Sequence, residues 1–318
     1  MRQDLRHSEL VYSTAQKASA AVTSPVAASW SRCLNLYQLQ PEEARKPVQV
    51  DETMYREARE RMERLIGSST DEVDRLYQLV GKSGCCIILA DQNGIVVDRR
   101  GAPGDDVEFR ALGLWQQTLW SEASVGTNGI GTALADERAV VIHRDQHFMS
   151  ANIGLSCATA PIRDHLGRLT AALDVSTCRN DVSDMTLAVL SQAVRDAAAR
   201  VESNLFRQAF AGARIVVVPQ VNSLSALIAV DGDDLILGAT KAARLALKID
   251  DGLIAQGMPA ADALRETRGE VSSDLDDAER AALRRVLSRT NGNVSQAAQM
   301  LGISRATLHR KMKRFQLH

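Results

Sequence analysis

Apolar residues recur in two rhythms along this chain, and the change of rhythm divides it. Residues 1–20 are polar and alanine-rich and read as a frayed arm. Ser24-Pro25 reads as a helix start, because proline is pre-set for the first helical position. Behind it Trp30, Cys33, Leu34 and Tyr37 are spaced along one side, and Pro41 and Pro47 bracket a connection. Asp51–Ile66 predicts a charged helix, Gly67-Ser68-Ser69-Thr70 its break, and Asp71–Val80 a second helix with Val73, Leu76 and Val80 on one face.

After Gly84 the rhythm turns to that of strands. Cys85–Asp91 and Ile95–Arg99 are two β-like runs joined across Asn93-Gly94, a strong hairpin signal. A polar helix near Asp105–Leu112 follows, then a Gly/Thr-rich stretch (Gly126–Thr132) and a strand at Ala139–His143. Leu155–Arg163 and Arg168–Ser176 form a further β pair turned by Asp164–Gly167, and the long helix Met185–Phe210 closes the unit. Its stripe of Leu187, Leu190, Val194, Ala197 and Val201 fits either a helix packed on its own sheet or a two-stranded seam between protomers. A short third unit has strands at Arg214–Val218, Ala226–Asp231 and Leu235–Gly238 and a helix at Thr240–Lys248, and residues 249–276 read as linker. A sheet with segregated helices makes the fold class α+β.

Composition alters this picture at one point. The chain has 318 residues, 45% hydrophobic and 24% charged, which is globular composition and excludes wholesale disorder. Its net charge of −1 argues against a nucleic-acid partner until it is resolved by segment. Residues 278–318 hold nine basic side chains and one acid, a net charge of +8, and the remainder carries −9. A mildly acidic body therefore precedes a basic C-terminal module. No apolar signal core follows the N-terminus, and no apolar run approaches the ~20 residues of a membrane helix. Cysteines 33, 85, 86, 157 and 178 form no disulfide framework or metal-finger spacing. These features predict a cytoplasmic protein with no membrane partner.

In the basic module Asp277–Arg289 predicts an amphipathic helix with Ala281, Leu283, Val286 and Leu287 inward. Asn291-Gly292-Asn293 is a turn, Val294–Leu301 a short helix, and Ser304 caps a last helix through Phe315. On that helix Leu308, Met312 and Phe315 form the inward stripe, which leaves Ala306, Arg310 and Lys313 on the opposite face. Helix, tight glycine turn and helix, with basic side chains outward, suits a major groove lined by phosphates. Asn291–Ala298, Leu301–Leu308 and Arg310–Lys313 resemble the Fis-type helix-turn-helix. The resemblance implies that Ser304, Arg305, Thr307 and Arg310 meet bases or nearby phosphates, that Lys311, Lys313 and Arg314 meet phosphates, and that Asn293 and Ser295 add backbone contacts. It also implies a homodimer on double-stranded promoter DNA, with half-sites about one helical turn apart.

The words Ser29-Trp30-Ser31-Arg32-Cys33, Gly126-Thr127-Asn128-Gly129-Ile130-Gly131-Thr132-Ala133-Leu134, His147-Phe148, Cys157 with Ala160–Asp164, and Leu173-Asp174-Val175-Ser176 resemble bacterial regulators of the acetoin-catabolism type. The resemblance implies a helical N-terminal arm (1–67), a GAF sensory domain (68–210), a short PAS-like fragment with linker (211–276) and an all-α helix-turn-helix (277–318). Trp115, Trp120, Glu122, Thr127, Asn128, His147, Phe148 and Cys157 are the ligand candidates it implies. Aromatic walls with a few polar groups suit a small, largely uncharged organic effector. Each has a plainer role open to it: core or lid packing for the tryptophans, a turn cap for Asn128, an inert buried thiol for Cys157.

The family pattern usually inserts a sigma-54-interacting ATPase between sensor and DNA reader. Here Gly81-Lys82-Ser83 has Leu76 where a phosphate loop needs its first glycine, and it precedes a strand instead of following one. Gly126, Gly129 and Gly131 do not have the dinucleotide spacing. The expectation is a one-component transcriptional regulator whose effector acts on paired DNA readers through the 185–210 helix, with RNA polymerase as a further partner. One alternative is an accessory regulator beside an ATPase-bearing relative. Another is a redox enzyme on the GAF scaffold, such as a sulfoxide reductase, with Cys85, Cys86 and Cys157 as its support. His143, His147, Cys157 and Glu122 carry metal-ligating atoms, but the histidine spacing suits a helix and this stretch reads as strand end and loop. No catalytic residue, metal or cofactor is assigned.

Overall fold

The computed structural model describes residues 2–17, 22, 24–43, 47–219, 225–232, 234–266, 279–280, 282–283, 286–287, 290 and 292–317. Two compact units divide it, residues 1–263 and 264–318. The larger is built on a five-stranded antiparallel sheet in the order β3-β2-β7-β6-β5. Its strands are β2 (Cys85–Asp91), β3 (Val96–Arg100), β5 (Val140–His143), β6 (Ser156–Arg163) and β7 (Leu169–Thr177). The expected hairpin joins β2 to β3: Gly94 has φ +88°, and the Asp91 carboxylate accepts from the Asn93 and Ile95 amides at 3.0 and 2.9 Å. A two-stranded ribbon, β1 (Val48–Gln49) with β4 (Thr118–Leu119), lies beside it.

Side chains alternate between the two faces of the sheet, and each face has its own core. The outer face, with Ile87, Leu89, Ala160, Leu173 and Val175, packs against helices α3 (Glu52–Val80) and α7 (Asp184–Ala209). On the inner face Cys86, Ile88, Ala90, Cys157 and Ala172 pack under Phe109, Leu114, Trp120 and Ile130. These come from the connection containing helices α4 (Asp106–Ala111), α5 (Glu122–Val125) and α6 (Gly129–Asp136).

Three expectations are corrected, and one open alternative is closed. The arm is not frayed: α1 (Arg2–Ala15) is a helix, and its Val11 is buried in a cluster with Trp30, Cys33, Phe148 and Met149. Trp30 and Cys33 belong to α2 (Pro25–Asn35), capped by Ser24 as predicted. The break at Gly67–Thr70 does not occur. Ser68, Ser69 and Thr70 return their hydroxyls to the carbonyls of Arg64, Ile66 and Ile66 at 2.8, 3.0 and 2.9 Å, so the helix satisfies them internally. Burial of Leu65, Val73 and Leu76 against sheet and α7 then outweighs the weak local propensity. The stripe Leu187–Val201 of α7 is buried within the chain, which closes the two-stranded seam reading for those residues.

The third correction concerns residues 249–276. Asp251–Ala255 and Ala260–Glu266 are helices α9 and α10, the first capped by Asp250, which accepts from the Leu253 amide at 2.9 Å. Residues 267–276 lie outside the described residues. Ahead of them β8 (Arg214–Val217), β9 (Leu227–Val230), β10 (Ile236–Ala239) and α8 (Lys241–Leu247) form the short third element group. It is seated on the end of α7 through Phe206 and Phe210, and a Cβ on Gly238 would lie 2.2 Å from the Phe210 ring.

Candidate functional site

Inward-facing positions of the sheet carry polar side chains where a core would be apolar. The register aligns Ile88, Asp174 and Thr159 in one cross-strand row, and Cys86, Ser176 and Cys157 in the next. Thr159 donates to Asp174 Oδ1 at 2.5 Å, and Ser176 Oγ lies 2.5 Å from Asp174 Oδ2 and 3.1 Å from Cys157 Sγ. Cys157 Sγ is in turn 3.4 Å from His147 Nε2. His147 Nδ1 meets the Arg144 carbonyl at 2.9 Å. A carbonyl only accepts, so Nδ1 holds the ring proton and Nε2 accepts from the thiol.

Burial sets the charge along this chain of groups. It lowers His147 to about 4, leaving a neutral imidazole at pH 7. It raises Cys157 well above an ordinary thiol, so the sulfur is protonated and a poor nucleophile. Asp174 is raised to about 6 by burial, against the pull of the Ser176 and Thr159 hydroxyls. The folded state thus holds a proton on Asp174 across roughly pH 4–6 that the unfolded chain releases, and the stability this group contributes is lost as pH rises through 6. His147 acts in the opposite sense, losing its contribution as pH falls towards 4. Asp174→Asn is therefore expected to gain about 2–3 kcal/mol on wild type between pH 4 and pH 7.5, read as a melting temperature that rises relative to wild type across that range.

A second polar cluster fixes the N-terminal helices. Glu122 is 3% exposed and accepts from Arg32 Nε and Nη2 at 2.8 and 3.0 Å, from Thr132 at 3.0 Å, and from Ser29. Ser29 Oγ is also 2.6 Å from Thr127 Oγ1, and Arg32 pairs with Asp136 at 2.8 Å. Asn128 is the N-cap of α6, its Oδ1 accepting from the Gly131 amide at 2.8 Å. A Cβ on Gly131 would lie 2.4 Å from the Glu122 amide nitrogen, so the close approach of α6 requires glycine there.

The ligand candidates are thus divided. His147 and Cys157 touch each other, Glu122 and Thr127 meet through Ser29, and Asn128 serves α6. Trp120 is core, its Nε1 donating to the Gly113 carbonyl at 2.8 Å, and Phe148 lies in the α1–α2 cluster. Trp115 stands apart on a cavity of about 520 Å³. Sequence reasoning named none of Ser29, Arg32, Thr132, Thr159, Asp174 and Ser176 as site residues. The signal was there for three of them: polar residues at inward parity within the otherwise apolar strands β6 and β7. Cys85 and Cys86 point to opposite faces, and burial raises both thiols. Among the described residues no cluster of three metal-ligating side chains forms, and no helix is long and apolar enough to cross a membrane.

In the smaller unit residues 279–280, 282–283 and 286–287 are helical, and the rest of the expected Asp277–Arg289 helix lies outside the described residues. Leu283 packs with Ala297 and Ala298 of α11 (Val294–Met300) and Leu308 of α12 (Arg305–Arg314). Met312 and Phe315 join this core as the spacing predicted. Asn293 Oδ1 accepts from the Ser295 and Gln296 amides at 3.1 and 3.2 Å, and Ser304 Oγ from the Thr307 amide at 3.1 Å. Gly302, at φ +63°, makes the turn between the helices. Arg305, Arg310, Lys313 and Arg314 are exposed along α12, and Arg314 lies over the Phe315 ring at 5.2 Å. Ser295 is also exposed, Thr307 is half-buried, and Lys311 is held in an ion pair with Glu279.

Comparison with known proteins bears on both units. Residues 274–315 match the profile of the Fis-family bacterial regulatory proteins. Residues 2–202, nearly two thirds of the chain, match that of the MimR N-terminal domain. The chain belongs to the MimR N-terminal-domain family. The chain is 32% identical over 241 residues to the acetoin catabolism regulatory protein of Cupriavidus necator, covering 74% of this chain and 36% of that one. It is 28% identical over 204 residues to MimR, the propane 2-monooxygenase operon transcriptional activator of Mycolicibacterium smegmatis, covering 63% and 33%. The chain thus spans about a third of the length of these relatives. The fold resembles the DhaR N-terminal portion in the Escherichia coli DhaR(N)–DhaL complex, with a TM-score of 0.53 at 18% identity over 71% of this chain and 77% of that one. This MimR-family chain therefore joins a GAF-like N-terminal domain to a Fis-type helix-turn-helix, and its named relatives are transcriptional regulators. The 71 residues between the two profile matches contain no phosphate-loop sequence.

Proposed function

We propose that the chain is a cytoplasmic regulator that binds promoter DNA as a homodimer and adjusts that binding to a small organic effector held by its GAF-like unit. The observation that carries the DNA reading is α12, whose exposed face presents Arg305, Arg310, Lys313 and Arg314 while Leu308 is buried behind them. Arg305, Arg310 and Thr307 read base edges or the phosphates beside them, and Lys313 and Arg314 bind phosphates. Asn293, Ser295 and Ser304 offer helix-start groups to the backbone, and Lys311 contributes by setting Glu279 against the helix pair. RNA polymerase is the partner through which such binding changes transcription.

Enrichment of a randomised duplex library on the full-length chain tests this. The expected outcome is convergence on an inverted repeat whose half-sites lie about one helical turn apart. Recovery of unrelated sequences after several rounds would remove the sequence-specific reading.

A further inference from the structure

Arg99 is an unusual residue for the rim of a core. It lies on the edge strand β3 opposite Ile88, on the inner face, and its side chain is 7% exposed. Nη1 donates to Asp106 at 2.7 Å, yet Nε and Nη2 are buried without a hydrogen-bond partner among the described residues. Nε and Nη2 share one edge of the guanidinium, the edge that meets both oxygens of a carboxylate at once. A Cβ on Gly101 would lie 2.5 Å from Nη2, so glycine there keeps the space beside that edge clear of a side chain.

The guanidinium carbon sits 4.3 Å from the centroid of the Trp115 ring, and the exposed Arg110 places its own at 4.1 Å. Trp115 and Arg110 line the cavity of about 520 Å³ together with Tyr55 and Thr118, a volume suited to a small organic molecule. Among the described residues Asp106 is the one carboxylate paired with either arginine, which leaves the pair with an excess positive charge. Two guanidiniums on one indole repel each other, and an anion between or beside them relieves that repulsion.

We propose that this cavity is a binding site for a small planar organic carboxylate. Arg110, which lines the cavity, meets the carboxylate, the hydrocarbon body lies against Trp115 and Tyr55, and the buried Arg99 adds its positive charge through its contact with the indole. This concerns the larger unit alone, so it stands or falls separately from DNA recognition.

Benzoate, its neutral isostere benzamide, and inorganic phosphate titrated into the full-length chain provide the test, read by calorimetry and by indole fluorescence. The expected result is saturable benzoate binding with a fluorescence change, weakened about ten-fold or more in Arg110→Met and less in Arg99→Met, with benzamide about ten-fold weaker on wild type. Arg110 is exposed, so its variant keeps the fold and decides the matter even if Arg99→Met does not fold. Benzoate binding unchanged in Arg110→Met, benzamide or phosphate binding as tightly as benzoate, or no saturation below about 20 mM would each overturn the proposal.

Discussion

Glu122→Ala is expected to melt about 10 °C below wild type and to become open to proteolysis between α2 and α3. Four groups converge on this carboxylate, from Ser29, Arg32 and Thr132, and only 3% of it is exposed. Removing the buried partner of such a pair costs up to about 3–5 kcal/mol, because Ser29 and Thr132 lose their buried acceptor and Arg32 keeps only Asp136. For a unit of this size each kcal/mol corresponds to about 2–4 °C. Glu122→Gln keeps the shape and an acceptor but loses the charge, so its melting temperature should fall between the two. Thermal unfolding followed by circular dichroism, with timed proteolysis of the three proteins, checks the order. Equal melting temperatures would show that α1 and α2 are held by the Val11–Trp30–Phe148 cluster alone.

Arg305→Ala with Arg310→Ala is expected to weaken specific DNA binding by about 10²-fold or more, at about 1–3 kcal/mol for each base-edge contact. Both side chains are exposed and neither caps a helix, so the melting of the smaller unit should not move. Fluorescence anisotropy on a selected duplex measures the loss, and circular dichroism confirms that the fold persists. Lys311→Ala supplies a contrast. Its ammonium is engaged by Glu279, so its removal should cost stability more than affinity.

Much of the fold was legible because the sheet obeys simple alternation. The β2–β3 hairpin followed from Asn93-Gly94, and β6 and β7 from their runs around the 164–167 turn. The helix-turn-helix was legible for the same local reason, a glycine turn between two capped helices. What escaped depended on distant partners. Gly67–Thr70 looks like a break until the hydroxyls bond back to the helix and α7 covers it. Residues 1–15 look frayed until Trp30 and Phe148 lie against Val11. The stripe on α7 has the same spacing for either reading, and burial alone separates them. At the site, the resemblance brought forward Glu122, Thr127, Asn128, His147 and Cys157 as a single pocket. The structure distributes them between an arm clasp and a buried polar chain, because Ser29 and Arg32 arrive from a segment about ninety residues earlier.

The central claim is that this chain reads DNA through the basic face of α12. Its most direct measurement is the salt dependence of binding to the selected duplex by the full-length chain and by a Lys313→Ala, Arg314→Ala double variant. Counterion release predicts a slope of log K against log salt of about −0.9 for each phosphate neutralised. With Lys313 and Arg314 of each α12 on phosphates, the slope should be near −4 for a bound pair and shallower by about 3 to 4 units in the variant. A slope near zero, or one that the double variant leaves unchanged, would contradict the claim.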